Sequence, residues 1–231
     1  MIEGLKVVAF DADDTLWENE PLFRDAERKV ADILSEYGNF EYISDELYKV
    51  EFKNMEDYGF GAKAYTLSMI ENAVNLSGGK LTGEQVKLIL ESGRTILHNP
   101  ATPLPGVTET LGKLQADGRY RLVLLTKGDL LDQEHKIDRS GLGKYFSHIE
   151  IVSNKSQKEY GILCDKLGIR LDELMMVGNS FKSDIEPVLK LDGWGVFIPF
   201  HVLWKLEHTE EYDHHRLFKV ERFNEILDIL L

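Results

Sequence analysis

After residue 106 this chain alternates short apolar runs with amphipathic stretches, and that pattern most constrains its fold. Apolar, β-prone runs at residues 121–126, 149–152, 174–177 and 194–198 read as strands. Helical spacing predicts helices at 107–116, 130–139, 157–167 and 183–191, and a closing helix at 220–230. Such alternation calls for an α/β domain, a parallel sheet covered by helices on both faces. An earlier run, Leu5 to Phe10, has the same buried-strand character and belongs to the same sheet. Between them, residues 17–99 read as helices alone. Apolar positions recur at helical spacing in Ala26, Val30, Ile33 and Leu34 and again in Leu67, Ile70, Ala73 and Val74. Thr82 with Gln85 marks a further helix start. Pro100, Pro103 and Pro105 then break the chain, because proline removes a backbone donor and fixes φ. The expected organisation is a core of residues 1–16 and 100–231 with an all-helical domain of residues 17–99 inserted into it.

Parallel sheets place their sites at the carboxyl ends of strands. The first strand ends in Asp11-Ala12-Asp13-Asp14-Thr15-Leu16, two carboxylates at i and i+2. Residues two apart in an extended segment point the same way. Close carboxylates raise one another's pKa unless a cation, a shared proton or a reaction resolves the repulsion. Mg²⁺, a hard cation that takes oxygen ligands and few carboxylates, is one resolution. A solvated acidic turn with Thr15 as a helix cap is the plainer alternative.

Other strand ends also carry polar groups. The run 122–125 ends in Thr126-Lys127-Gly128, where a hydroxyl and backbone NH groups freed by glycine can hold a phosphate oxygen. Lys155 stands just before a helix, with Tyr160 five residues on, and can offset the charge of a carboxylate and an incoming phosphate. The run 175–177 ends in Gly178-Asn179-Ser180-Phe181-Lys182-Ser183-Asp184.

Taken in order, Asp-x-Asp-x-Thr-Leu at 11–16, Thr126, Lys155 and Gly-Asn-Ser-x-x-Ser-Asp at 178–184 resemble the four motifs of the haloacid dehalogenase superfamily. The resemblance implies a Rossmann-like core and makes the insertion a helical cap that closes over the site and selects substrates. It implies a Mg²⁺-dependent phosphatase of small phosphorylated metabolites. Asp11 would be the nucleophile and Asp13 the general acid and base. Asp11, Asp13 (through its backbone carbonyl) and Asp184 would bind the metal. Thr126 and Lys155 would hold the phosphoryl oxygens, and Lys127 and Gly128 would contact substrate. Asn179, a neutral amide where many relatives carry a carboxylate, would support the metal ligands rather than join them. A dehalogenase in the strict sense needs no acid at position 13, since halide leaves unprotonated. A phosphomutase and a non-enzymatic phosphate-sensing relative share the remaining pattern.

Composition narrows the partners. The 231 residues suit one core plus an insertion, and a formal net charge of −13 argues against nucleic acid or an anionic membrane as partner. Cys164 is the only cysteine, so no intrachain disulfide can form, and its helical setting suits an apolar core position. No run approaches a membrane span, and a cytoplasmic location is expected. His201, His208, His214 and His215 match no structural zinc spacing. The loop after the last strand, beginning Ile198-Pro199-Phe200-His201, lies on the active side of the sheet and is a candidate for substrate contact. The oligomeric state is left open.

Overall fold

Residues 2–231 are described by the structure, a computed structural model. In chain order the elements are β1 (Val7–Phe10), α1 (Glu20–Ile33), α2 (Phe40–Tyr58), α3 (Ala62–Leu76), α4 (Gly83–Leu97), α5 (Val107–Asp117), β2 (Arg121–Lys127), α6 (Leu130–Ser140), β3 (His148–Val152), α7 (Gln157–Leu167), β4 (Leu174–Gly178), α8 (Glu186–Leu189), β5 (Trp194–Phe197), β6 (Leu217–Lys219) and α9 (Ile226–Leu230). They divide into two units. One comprises the chain up to Glu18, Ala101–Lys127 and Gln133–Leu231; the other comprises Asn19–Pro100 and Gly128–Asp132.

The first unit is built on a six-stranded sheet of order β3-β2-β1-β4-β5-β6, with every neighbouring pair parallel. β1 lies at its centre, with Val8 opposite Leu122 on one side and Met175 on the other. All four β1 residues are buried, as a strand covered on both faces requires. Alternate residues feed opposite layers. Val8, Phe10, Leu122 and Leu124 pack with Leu111, Leu114, Phe223 and Ile226. Val7, Ala9, Val123 and Leu125 pack with Tyr160, Leu163, Cys164 and Val188. Burying each such side chain contributes about 1.5–3 kcal/mol, so the period-two pattern fixes the register of the central strands.

Two segments differ from the sequence expectation. Residues 183–191 are not one helix: a wide π-type turn, Phe181–Ile185, leads into the short α8. Pro187 lacks the N–H that a continuous ladder needs. Residues 220–230 are helical only from Phe223, where a 3-10 turn, Phe223–Glu225, runs into α9. Upstream, Leu217–Lys219 adds a sixth strand to β5, and the Glu225 side chain turns the chain by accepting from the backbone N–H of Glu221 at 3.0 Å.

The second unit is a helical bundle with its own core of Ala26, Val30, Leu34, Ile43, Leu47, Tyr65, Met69, Ile89 and Ile96. Asn39 caps α2 by accepting from the Tyr42 N–H, and Thr82 and Gln85 cap α4 reciprocally. Among the described residues no helix is long and apolar enough to cross a membrane.

Candidate active site

The site lies in the first unit, where β1, β2 and β4 end side by side. The Asp11 N–H donates to the Val177 carbonyl at 2.9 Å, which carries the β1–β4 pairing one residue past the strand. The chain then turns tightly: the Leu16 N–H reaches the Ala12 carbonyl at 2.8 Å, and Asp14 adopts φ +61°. The turn sends Asp11 and Asp13 to different partners.

Asp11 is buried against Lys155, whose ammonium donates to Asp11 Oδ1 and to Asp184 Oδ1, the latter at 2.7 Å. Thr15 Oγ1 donates to Asp11 Oδ2 at 3.0 Å. Asp13 has a lysine of its own. Lys136 Nζ lies 2.8 Å from Asp13 Oδ1 and 2.7 Å from Oδ2, Gln133 Nε2 donates to Oδ2 at 2.8 Å, and Trp17 Nε1 donates to Oδ1 at 2.8 Å. Lys136 and Gln133 are both buried and lie one turn apart on α6. Sequence reading missed these three donors. The spacing of Gln133 and Lys136 on one helix face was their only signal, and it is common to many helices.

Asp184 was expected as a metal ligand together with Asp11 and Asp13. Its Oδ1 accepts from Lys155 and its Oδ2 from the Ser180 N–H at 3.0 Å. Gly178 makes room for it, since a Cβ there would stand 2.2 Å from Asp184 Oδ2. Among the described residues no three acidic or histidine side chains gather as a metal cluster, because Lys155 stands between Asp11 and Asp184. Asn179, expected only as support, lies within hydrogen-bond reach of both of the other two. With its amide nitrogen inward it donates to Thr15 Oγ1 at 3.1 Å, to the Asp13 carbonyl at 3.1 Å and to Asp11 Oδ2 at 3.3 Å. With its oxygen inward it accepts from Thr15 Oγ1 and joins the oxygens of Asp11 and Asp13 in one group. An all-oxygen set of this kind fits a hard cation such as Mg²⁺.

Burial dominates the electrostatics. It pushes the Asp11 carboxyl up to about 7; Lys155 pulls against that rise, and Asp184 and Asp13 add to it. Burial also opposes the charge on Lys155, but the two carboxylates outweigh it and hold the ammonium above its usual range. The Tyr160 hydroxyl donates toward the Ser183 and Asp184 carbonyls, each at 3.1 Å, and so braces the turn that carries Asp184. Cys164, buried on α7 with its thiol pushed up to about 11, is a core residue.

Thr126 is 1% exposed, and its hydroxyl has no hydrogen-bond partner among the described residues. A buried hydroxyl left unpaired costs free energy unless a ligand completes it. Lys127, its neighbour, turns to Glu207. Lys127 Nζ lies 2.5 Å from Glu207 Oε1, 3.2 Å from Ser183 Oγ and 5.7 Å from the centre of the Trp204 ring. Glu207 Oε2 accepts from Ser180 Oγ and, at 2.6 Å, from Ser183 Oγ. Lys127 and these hydroxyls hold the Glu207 carboxyl down at about 2, against its burial. Glu207 belongs to the loop after β5 and lies 80 residues from Lys127, a separation at which sequence carries no pairing signal. Gly128, at φ +149°, opens the segment assigned to the helical unit.

Residues 5–190 match the haloacid dehalogenase-like hydrolase family. The chain belongs to that family. Its fold is closely shared with a haloacid dehalogenase-like family hydrolase from Xanthomonas campestris, at 36% identity and a TM-score of 0.87 over 98% of this chain and 92% of that one. It is also similar to two archaeal proteins named glyceraldehyde 3-phosphate phosphatase. That of Methanothermobacter thermautotrophicus is 25% identical over 78% of this chain and 80% of its own length. That of Methanopyrus kandleri is 24% identical over 98% and 97%. As a haloacid dehalogenase-like hydrolase the chain is an enzyme, and the family match spans Asp11, Asp13, Thr126, Lys155, Asn179 and Asp184. It ends before β5 and Glu207.

Proposed function

We propose that this hydrolase is a Mg²⁺-dependent phosphatase that cleaves a small phosphorylated metabolite through an aspartyl-phosphate on Asp11. One observation carries the reading: a carboxylate buried beside Lys155 is followed, two residues on, by a second carboxylate with its own set of donors. Displacement of halide from carbon would need only the first. The phosphatase names of the archaeal relatives support the same substrate class.

In the first step an Asp11 oxygen attacks phosphorus in line and the bond from phosphorus to the ester oxygen breaks. Asp13 gives its proton to the departing oxygen. In the second step Asp13 takes a proton from water, which attacks phosphorus, and inorganic phosphate and the free Asp11 carboxylate result. Lys155 keeps the nucleophile aligned and offsets negative charge. Thr126 Oγ1 would find its missing partner in a phosphoryl oxygen. Mg²⁺ would be held by Asp11, the Asp13 carbonyl and Asn179, and supplies charge neutralisation between carboxylate and phosphate. Asp184 would act on this group through Lys155 and the Ser180 N–H. The helical residues 17–99 form the cap domain in this reading.

The test is phosphate release from para-nitrophenyl phosphate and from glyceraldehyde 3-phosphate, with Mg²⁺ and after metal removal into excess chelator. Release that needs Mg²⁺ supports the proposal. Absence of release from both esters with Mg²⁺, or undiminished release in chelator, overturns it.

A further inference from the structure

The loop between β5 and β6 brings a carboxylate to the substrate end of the first unit. Glu207 is 12% exposed at its side chain, and its partner Lys127 is 15% exposed. The pair is tied to the site at three points. Lys127 follows Thr126, Ser180 follows Asn179, and Ser183 precedes Asp184. Three donors, Lys127 Nζ and the Ser180 and Ser183 hydroxyls, converge on the one carboxylate. Ser180 Oγ also caps its own turn by accepting from the Ser183 N–H at 3.0 Å, so the arrangement is built into the turn.

From this arrangement we propose that Glu207 is a specificity residue: by neutralising Lys127 beside the phosphate pocket, it selects phosphomonoesters whose non-reacting part is uncharged and disfavours those with a second anionic group. The proposal rests on the phosphatase reading above. A second phosphate or a carboxylate on the substrate needs a cation to receive it. Lys127, Lys136, Lys155 and Lys182 are all committed here, to Glu207, to Asp13, to Asp11 with Asp184, and to the Leu206 carbonyl at 2.7 Å. A second anion brought beside Lys127 would find that ammonium already paired with the Glu207 carboxylate and would be set against a like charge instead. Like charges set against each other in a desolvated place cost enough to discriminate strongly between ligands. A polyol or aldehyde monophosphate meets no such penalty. Glu207 lies outside the span of the family match.

The experiment compares kcat/KM for glyceraldehyde 3-phosphate, uncharged beyond its phosphate, with that for 3-phosphoglycerate, its carboxylate counterpart of the same length. Wild type, Glu207→Gln and Glu207→Asp are each assayed with Mg²⁺, and folding is checked by circular dichroism and thermal melting. Wild type should favour the aldehyde ester by at least about tenfold. Glu207→Gln keeps an oxygen for the two serines and releases Lys127, so the ratio should move toward the acid by roughly tenfold. Glu207→Asp keeps the charge and should leave the ratio near wild type. A wild type that turns over the acid as well as the aldehyde overturns the proposal without any variant. An unchanged ratio in a folded Glu207→Gln protein overturns it too, as does an equal shift in Glu207→Asp, which would assign the effect to packing. Wild type that cleaves neither ester, nor para-nitrophenyl phosphate, overturns the phosphatase reading and this one with it.

Discussion

Replacing Lys155 with methionine tests the electrostatic core of the site. The Lys155 side chain is 2% exposed, and its ammonium bridges Asp11 and Asp184, whose side chains are 9% and 1% exposed. Methionine keeps length and apolar packing but removes the positive charge that bridges two buried carboxylates. Breaking a buried pair from one side costs about 3–5 kcal/mol, because an uncompensated charge is left behind. For a chain of this size each kcal/mol moves the melting temperature by about 2–4 °C. Lys155→Met should therefore melt about 6–20 °C below wild type at neutral pH, by calorimetry in chelator so that no bound cation replaces the lost charge. Adding Asp184→Asn should recover part of the loss, since one of the stranded charges goes with it. A lysine on the surface would change stability by less than about 0.5 kcal/mol. A melting point within about 2 °C of wild type, or a double variant less stable than the single, would refute the reasoning.

Other consequences follow from Asp13 and Glu207. Asp13→Asn should slow turnover by about 10²–10⁴, and more for an alkyl phosphate than for para-nitrophenyl phosphate, whose leaving group needs less protonation. Lys136→Met should act in the same direction and with the same leaving-group bias, which an effect on folding alone would not show. The Glu207 carboxyl is held at about 2, below its ordinary 4.5, so the stability it adds is complete above pH 4.5 and is lost as pH falls toward 2. Wild type should exceed Glu207→Gln by on the order of 3 kcal/mol in urea unfolding at pH 6, and the gap should narrow steadily below pH 4.5. A gap that stays constant from pH 6 to pH 3 would contradict the ion pair.

The strands were legible because they are buried on both faces. Val7 to Phe10 and Leu122 to Leu125 are unbroken apolar runs, and each ends at the polar residue where the sheet meets the site. Strand-end logic also led to Asp11, Thr126, Lys155, Asn179 and Asp184, since parallel order brings the ends together. β6 was hidden because three residues at a sheet edge carry too little pattern, and the wide turn at Phe181–Ile185 because its geometry depends on Pro187 and on the Ser180 and Tyr160 hydrogen bonds. Lys136 and Glu207 escaped for another reason. Their partners are 123 and 80 residues away, and surface lysines and glutamates look no different in sequence from buried, paired ones. Asn179 was placed in the right turn, but only the geometry shows its amide set against the Asp13 carbonyl.

The most direct test of the central claim, that the phosphoryl group passes through Asp11, is the stereochemical course at phosphorus. A phosphomonoester made chiral with oxygen isotopes is hydrolysed in labelled water, and the configuration of the released phosphate is read by phosphorus NMR. Transfer to Asp11 followed by attack of water makes two in-line displacements, each inverting phosphorus, and the expected result is net retention. Net inversion would mean that water attacks the substrate in a single displacement, and would contradict the covalent mechanism.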